Sequence, residues 1–536
     1  MTLLVEIGRK FSEMATDLQI AARKISSVNP ATGEVLRELD CAGADEVIAA
    51  VARARAAQVA WAKAGVRRRI AVLREFQYKL QGKRSAIAEA IAREAGKPVA
   101  EALTTEILVV LDAARFLIDH AYHLLRDEPL PHGNLATKLK NGRLVREPYG
   151  VVGIISPWNY PFSIPATETL AALVAGNAVV LKPSELTSLV ALELRSLLHA
   201  AGVPQDIFQV VVGDGATGVA LIHSPIDKLV FTGSVATGKR IAMAAAERLL
   251  PVVLELGGKD PMLVLEDADV DVAASAAVWG AFVNAGQTCL SVERCYVHRS
   301  LYEAFLSACA EKAKRLRVGR GLDRDIDVGP MIHNRQVQIV EAHVEDAIAR
   351  GARVLAGGSR MPQLGTNFYQ PTVLADVTHE MRIMREETFG PVLPVAAFDT
   401  DDEAVRLAND SEFGLAACVW TRDDARGELL ARRIQAGTVM VNDVVSCFGI
   451  SEAPHGGFKS SGIGRAHGRF GLEEMVRLKY LDVDLMPSIK KVWWYGYGAN
   501  FARQIEGLLD MQFARGWGAR LRGALHAAGV MRRKRL

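Results

Sequence analysis

From about residue 43 to residue 125, apolar side chains recur at helical spacing, in alanine-rich and charged segments such as 45–64 and 67–95. The pattern changes after Asn141-Gly142, a turn signal. Short apolar runs then alternate with helical stretches. A strand is predicted at Val151–Ile155, a helix at 166–175, a strand at 178–181, a helix ending at His199 and a strand at 208–212. Such alternation predicts βαβ units around a parallel sheet. A second α/β stretch runs from about residue 267 to 440, and no internal repeat or low-complexity segment interrupts it.

The last fifty residues follow another rule. Phe501, Ile505, Leu508 and Leu509 lie at helical spacing, and Phe513, Trp517, Leu521 and Leu525 follow every fourth residue. A straight helix repeats every 3.6 residues, so a strict four-residue stripe winds round it by about 40° per step. Gly516 and Gly518 are expected to break the segment into two pieces. Residues 486–536 hold ten Lys or Arg and two acidic residues, a net of +8 in a chain whose total is +3. Arg515, Arg520 and Arg522 flank the second piece and Arg532 to Arg535 close the chain. An apolar stripe beside basic residues suits a helix lying in a membrane interface. The alternative is a face that docks on the protein's own body or on a neighbouring subunit.

Elsewhere composition mainly excludes. With 536 residues the chain is long enough for two or three domains, and 50% hydrophobic with 23% charged residues is a globular balance. The small net charge gives no reason to expect nucleic acid. Six cysteines, none in a CxxC pair, indicate neither a metal site nor a disulfide framework, and a reducing, cytoplasmic setting is the simplest expectation. Early acidic residues (Glu6, Glu13, Asp17) argue against a cleaved signal peptide. The uncharged stretch 149–167 is interrupted by Pro157, Asn159, Pro161 and Pro165, whereas a spanning helix wants about 20 mostly apolar residues.

Two glycine-rich segments imitate nucleotide motifs. Gly213 to Gly218 matches GxGxxG after a strand-like run, but the position about 20 residues on carries no acid to hold a ribose. A tight glycine turn explains it equally well. Gly233 to Arg240 nearly matches a P-loop, yet Arg240 stands where a magnesium-binding Ser or Thr is required.

Four separated segments are more specific. They are Ser156-Pro-Trp-Asn-Tyr-Pro-Phe162, Leu254-Glu-Leu-Gly-Gly-Lys259, Asn284-Ala-Gly-Gln-Thr-Cys289 and Glu386-Glu-Thr-Phe-Gly-Pro-Val392, with Glu255 and Cys289 34 positions apart. In this order they resemble the aldehyde dehydrogenase superfamily over about residues 28 to 485. The chemistry is coherent. An aldehyde is a poor hydride donor, whereas the tetrahedral oxyanion made by thiolate addition expels hydride readily, so a cysteine nucleophile is a sensible device. Cys289, on what reads as an exposed loop, is the candidate nucleophile. Cys41, Cys309 and Cys418 read as packed small hydrophobes, and Cys295 as part of a strand at 295–297.

The resemblance implies further roles. The Asn159 amide and the Cys289 backbone N–H would stabilise the oxyanion, a contribution of about 10²–10³ in rate per donor. Glu255 would activate water against the thioester, and an apolar setting would raise its pKa toward neutrality. Lys182 and Glu185 would hold the adenine ribose. The Glu185 carboxylate would favour NAD, with NADP the alternative. Ser156 and Trp158 would lie beside the cofactor, Gly233 and Ser234 would open a helix toward the pyrophosphate, and Glu387 and Phe389 would position the nicotinamide ribose and ring. No metal is expected.

One feature departs from the family pattern. Many relatives carry a Lys nine positions after the oxyanion Asn and a Glu near the end of the fold, both on a proton path from the general base. Here these positions are Glu168 and Arg477. The exchange suggests a salt bridge and puts the family's path in doubt.

The implied architecture is a Rossmann-like NAD-binding domain (28–125 and 149–255), an α/β catalytic domain (256–440), a small β arm for assembly (126–148 and 470–485) and the basic extension (486–536). An arm with free edges needs a partner, so a homodimer or homotetramer is expected. The competing readings are a CoA-acylating semialdehyde dehydrogenase, which typically lacks the Glu255 equivalent, and a structural or membrane-interaction role. Phe162, Thr288 and the loop 444–451 are the expected substrate-pocket residues. The tail makes a long-chain, apolar aldehyde the favoured substrate.

Overall fold

The computed structural model describes residues 23–134, 137–491 and 493–528. The acidic residues of the first twenty and the terminal Arg532 to Arg535 lie outside them. Two compact units are present. Among the described residues, one comprises residues 23–124 together with Pro148–Val476, and the other Leu125–Glu147 with residues 477–528.

The first unit contains two large sheets. In the first sheet the strands lie side by side in the order Gly462–Ile463, Val252–Glu255, Lys228–Thr232, Val151–Ile155, Ala178–Lys182, Phe208–Val210. All are parallel except Gly462–Ile463. Every residue of Val151–Ile155 and Ala178–Lys182 is buried, which is why these strands read as unbroken apolar runs. Chain order reverses between Val151–Ile155 and Lys228–Thr232. Open α/β sheets form their ligand crevice at such a switch point, outside the carboxyl ends of the strands. The second sheet runs in the order Arg353–Ala356, Thr372–Ala375, Val392–Phe398, Val292–His298, Asp260–Val264, Ala416–Trp420, Thr438–Val441. It is parallel apart from its first pair.

The helices expected between 43 and 125 form as Ala44–Lys63, Val66–Ala95 and Leu108–Leu125. The second ends at Gly96, whose φ of +84° is left-handed and whose missing Cβ would meet Pro30 and Pro330 at 2.8 Å. Two buried acids near here act at a distance in sequence. Glu94 accepts from the backbone N–H groups of Leu189 and Val190 and so caps the helix Ser188–Ala200. Glu106 accepts from Phe162 and Ser163 N–H and caps Ser163–Ala175. Cys295, Cys309 and Cys418 are buried as expected, whereas Cys41 is only half-buried; all six cysteines are free thiols.

The second unit is a three-stranded sheet, Val476–Asp484 beside Lys140–Pro148 beside Glu128–Leu130, and a helical hairpin. Residues 470–475, expected in the arm, pack in the first unit, where Gly468–Glu473 is a short helix. The hairpin helices are Phe501–Phe513 and Trp517–Ala527. The break falls at 514–516, and Gly518 is inside the second helix. Gly507 and Gly523 let them approach: a Cβ on Gly507 would lie 2.5 Å from His526, and one on Gly523 2.4 Å from the Met511 nitrogen. Among the described residues no helix is long and apolar enough to cross a membrane.

Candidate active site

The motif segments converge on one cavity of about 300 Å³ at the switch point of the first sheet. Trp158 and Asn159 reach it from the turn after Val151–Ile155. Gly233 and Ser234 enter from the end of Lys228–Thr232, and Glu255 from the last position of its strand. Cys289, Glu387 and Phe389 close it from the second sheet's side of the unit.

Cys289 is half-buried, but the loop that carries it is buried, contrary to the exposed loop expected. Three consecutive residues ahead of it, Asn284, Ala285 and Gly286, have left-handed φ of +54°, +55° and +72°. Strain of this kind persists only where surroundings over-determine it. Here Asn284 donates to the Asn159 and Gln287 carbonyls, its N–H is held by Glu101, and Gln287 accepts from Ile332. Burial, then Asp260, Glu387 and Glu255, push the Cys289 thiol well up, so it rests protonated.

Asn159 donates one amide hydrogen to the Gln287 carbonyl at 3.0 Å, which leaves its second one for the cavity. Its own carbonyl accepts from Lys97 at 2.8 Å, and Lys97 pairs with Glu106 at 2.7 Å. Both side chains of that pair are fully buried. Breaking such a pair costs about 3–5 kcal/mol, because it strands a charge. Lys97 and Glu106 thus fix both Asn159 and the helix behind it. Sequence reading missed them, since two charges in a helical stretch look like any surface pair.

Both Glu255 oxygens are buried without a protein partner, and burial, then Glu168, raise its pKa well above the usual carboxylate range. Glu387 accepts from the Gly258 N–H at 3.1 Å, and burial pushes it up to about 8. A Cβ at Gly257 would lie 2.6 Å from the Glu387 carboxylate, so a side chain there would displace that carboxylate. Phe389, with φ +50°, meets Trp158 edge-on at 5.5 Å. Glu293, also missed, accepts from the N–H groups of Thr388 and Phe389 and from Lys259, and so anchors this strip.

Ser156, Lys182 and Glu185 do not line the cavity. They stand at the ends of the neighbouring strands, with Lys182 Nζ 3.3 Å from Glu185 and the Ser156 hydroxyl buried without a partner. Ser234 caps the helix Val235–Ala246, and a Cβ on Gly233 would strike the Phe231 ring at 2.6 Å. A helix N-terminus, an ion pair that a ribose diol can bridge and an orphaned hydroxyl fit a dinucleotide laid across the strand ends. At the decoy segment, Asp214 caps its own helix and pairs with Arg23 at 2.8 Å, which puts an acid where a phosphate would need a cation.

The expected Glu168–Arg477 salt bridge is not formed. Glu168 is buried, accepts from Thr232 at 3.2 Å, and leaves its second oxygen without a partner. Burial lifts it to about 8. Arg477 is exposed, near the start of the strand Val476–Asp484.

A second cavity of about 260 Å³ also touches Cys289. It is lined by Val109, Tyr160, Ile164, Trp279, Leu290 and Phe448, with the hydroxyls of Thr104, Thr105, Thr288 and Ser446 and no charged side chain. Thr288 and part of the loop 444–451 line it as expected. Phe162 does not; it is fully buried in the core, and its neighbours Tyr160 and Ile164 take the wall instead.

This fold and this constellation define an α/β protein with a ligand crevice at the switch point of its first sheet. The chain matches the aldehyde dehydrogenase family over residues 19–481 and belongs to that family. It is 40% identical over 489 residues to the 4,4'-diapolycopene aldehyde oxidase of Methylomonas sp, covering 91% of each chain. It is 41% identical to a putative succinate-semialdehyde dehydrogenase [NADP(+)] of Mycolicibacterium smegmatis, covering 84% of this chain and 86% of that one. The NAD+ complex of a Bacillus cereus aldehyde dehydrogenase superposes with a TM-score of 0.83 at 36% identity, covering 86% of this chain and 94% of that one.

Proposed function

We propose that the protein oxidises an apolar aldehyde without a carboxylate group to its acid, through a thioester on Cys289. The uncharged second cavity beside Cys289 carries this reading. Cys289 would add to the carbonyl carbon, its thiol proton leaving to water, while Asn159 and the Cys289 N–H hold the oxyanion. The dinucleotide, when bound, supplies the hydride acceptor. Glu255 would then take a proton from water as the water oxygen attacks the thioester, and the C–S bond would break to release the acid.

A relative named for succinate semialdehyde argues for an anionic substrate, but a carboxylate in this cavity would lose its water with no Arg or Lys to replace it. The relative named for an aldehyde of 4,4'-diapolycopene agrees with the apolar wall. The test is a series of straight-chain aldehydes assayed with both NAD and NADP. Each buried methylene is worth about 0.8 kcal/mol, so kcat/KM should climb roughly fourfold per carbon until the cavity is full. Succinate semialdehyde should fall below its uncharged isostere. A flat series, or a preference for the anion, would defeat the reading. Glu185 favours NAD as the better cofactor, and equal use of the two would remove that part.

The helical hairpin supports a lipid partner. Trp517, Leu521 and Leu525 are 90%, 68% and 71% exposed on one face of their helix. Arg520 and Arg522 sit about 100° to either side of that stripe. Such a layout suits an anionic interface, where each cation adds about 1 kcal/mol. Co-sedimentation with phosphatidylserine-containing vesicles at low salt should retain the full chain and lose a triple variant, Trp517→Glu, Leu521→Glu, Leu525→Glu. Equal sedimentation of both, or of neither, excludes the lipid; a change in oligomer size on substitution would assign the face to a second copy instead. The three-stranded sheet, with strand edges at Val476–Asp484 and Glu128–Leu130, is the surface we assign to homodimer or homotetramer assembly.

A further inference from the structure

Two small cavities continue the catalytic one. The first, about 20 Å³, shares Thr232, Glu255 and Cys289 with it and adds Glu168, His455 and His467. The second, about 30 Å³, shares Thr167, Glu168, Ala466 and His467 with the first. It lies among the helices Leu108–Leu125, Ser163–Ala175 and Gly468–Glu473. Its rim residues Ala171 and Ala466 keep some exposure. Each volume exceeds the roughly 10–15 Å³ that one water needs.

Five polar atoms of the lining residues lack partners. Both Glu255 oxygens, the second oxygen of Glu168 and both ring nitrogens of His467 are buried without a hydrogen bond from the protein. Buried polar groups are almost always satisfied, by water where protein cannot reach. His455 Nε2 stands 3.7 Å from Glu255 Oε2, too long for a direct bond and suited to a bridge. His467 is held here by a left-handed backbone, φ +59°. Arg465 and Glu474 are the other charged groups acting on Glu255.

We propose that these cavities hold water in series and that Glu168 and His467 line a proton path leading from Glu255 to the outer cavity. The inference rests on Glu255 being the base that activates water. Glu255 takes the proton as the water oxygen bonds to the thioester carbon and the Cys289 sulfur leaves. The proton passes through water to the Glu168 carboxylate, then past the His467 ring to solvent, and Glu255 is ionised again for the next turnover. Two acids facing one small cavity share a single proton more readily than they both ionise, so Glu168 can accept only when it is ionised. The path replaces a lysine-based one with a carboxylate and an imidazole.

The test separates acylation from deacylation by rapid mixing. Glu168→Gln should keep the burst of reduced cofactor and KM while slowing deacylation by about 10²-fold, the lower end of a positioned proton acceptor's contribution. It should also displace the pH profile of deacylation. Formate should restore deacylation in Glu168→Ala in proportion to its concentration. His467→Phe, which removes both nitrogens, should slow the same step. Wild-type deacylation with an unchanged pH profile in Glu168→Gln, or loss of its burst together with deacylation, would overturn the path. Normal deacylation in Glu255→Gln would instead overturn the assignment of the base, which keeps the two failures apart.

Discussion

Cys289→Ala is expected to abolish both cofactor reduction and any ester hydrolysis, because both would pass through the same covalent adduct. The structure makes the test sharp by supplying a rival. Cys447 is buried in the same small cluster that Cys289 packs against, and burial pushes its thiol up to about 12. It does not line either large cavity, and its Sγ faces the Val445 carbonyl at 4.0 Å. Retention of more than about a few per cent of turnover in Cys289→Ala would move the nucleophile, and loss of that remainder in the double variant with Cys447→Ala would say where. The buried acids around Cys289 matter here. Burial first, then Asp260, Glu387 and Glu255, oppose its ionisation, so the thiol must lose its proton as it attacks. Rates of adduct formation should therefore rise with pH.

Glu255→Gln is the second large effect. The amide keeps the shape of the side chain but cannot take a proton. Hydride release should survive in part as a burst, and steady-state turnover should fall by about 10²–10⁴, the usual contribution of a general base. In rapid mixing, a burst of reduced cofactor followed by slow turnover is the signature, and normal steady-state activity would remove Glu255 from the role. In the wild type, burial and Glu168 raise the Glu255 pKa, so its ionised, base-competent fraction grows as pH rises. Deacylation should increase with pH until Glu255 is ionised. Glu255→Gln should lose that dependence.

Much of this architecture is legible in the amino-acid sequence. The alternation of apolar runs and helical stretches places Val151–Ile155 and the strands after it, because residues buried on both faces of a parallel sheet leave an unbroken apolar run. The basic tail's two helices and the break between them follow from spacing and glycine. Trp158, Asn159, Gly233, Ser234, Glu255, Cys289, Glu387 and Phe389, singled out from short motifs, all line one cavity. Each motif is short because a turn at a strand end must present a few backbone and side-chain groups together.

What the sequence by itself determined was therefore the fold class, the family and the groups that meet at the strand ends. Only the tertiary structure decided what lies behind them. Lys97 and Glu106 grip Asn159 and the helix after it across 62 and 56 positions, and Glu293 holds Thr388 across 95. Periodicity says that a face is apolar or polar, never what covers it, so a buried ion pair and a surface pair read alike. The same limit put Phe162 in the pocket when packing sends it to the core, and paired Glu168 with Arg477 when burial leaves that acid beside Thr232 and Glu255. Desolvation is a property of the assembled walls. It sets which carboxylates ionise, and with that where a proton can go.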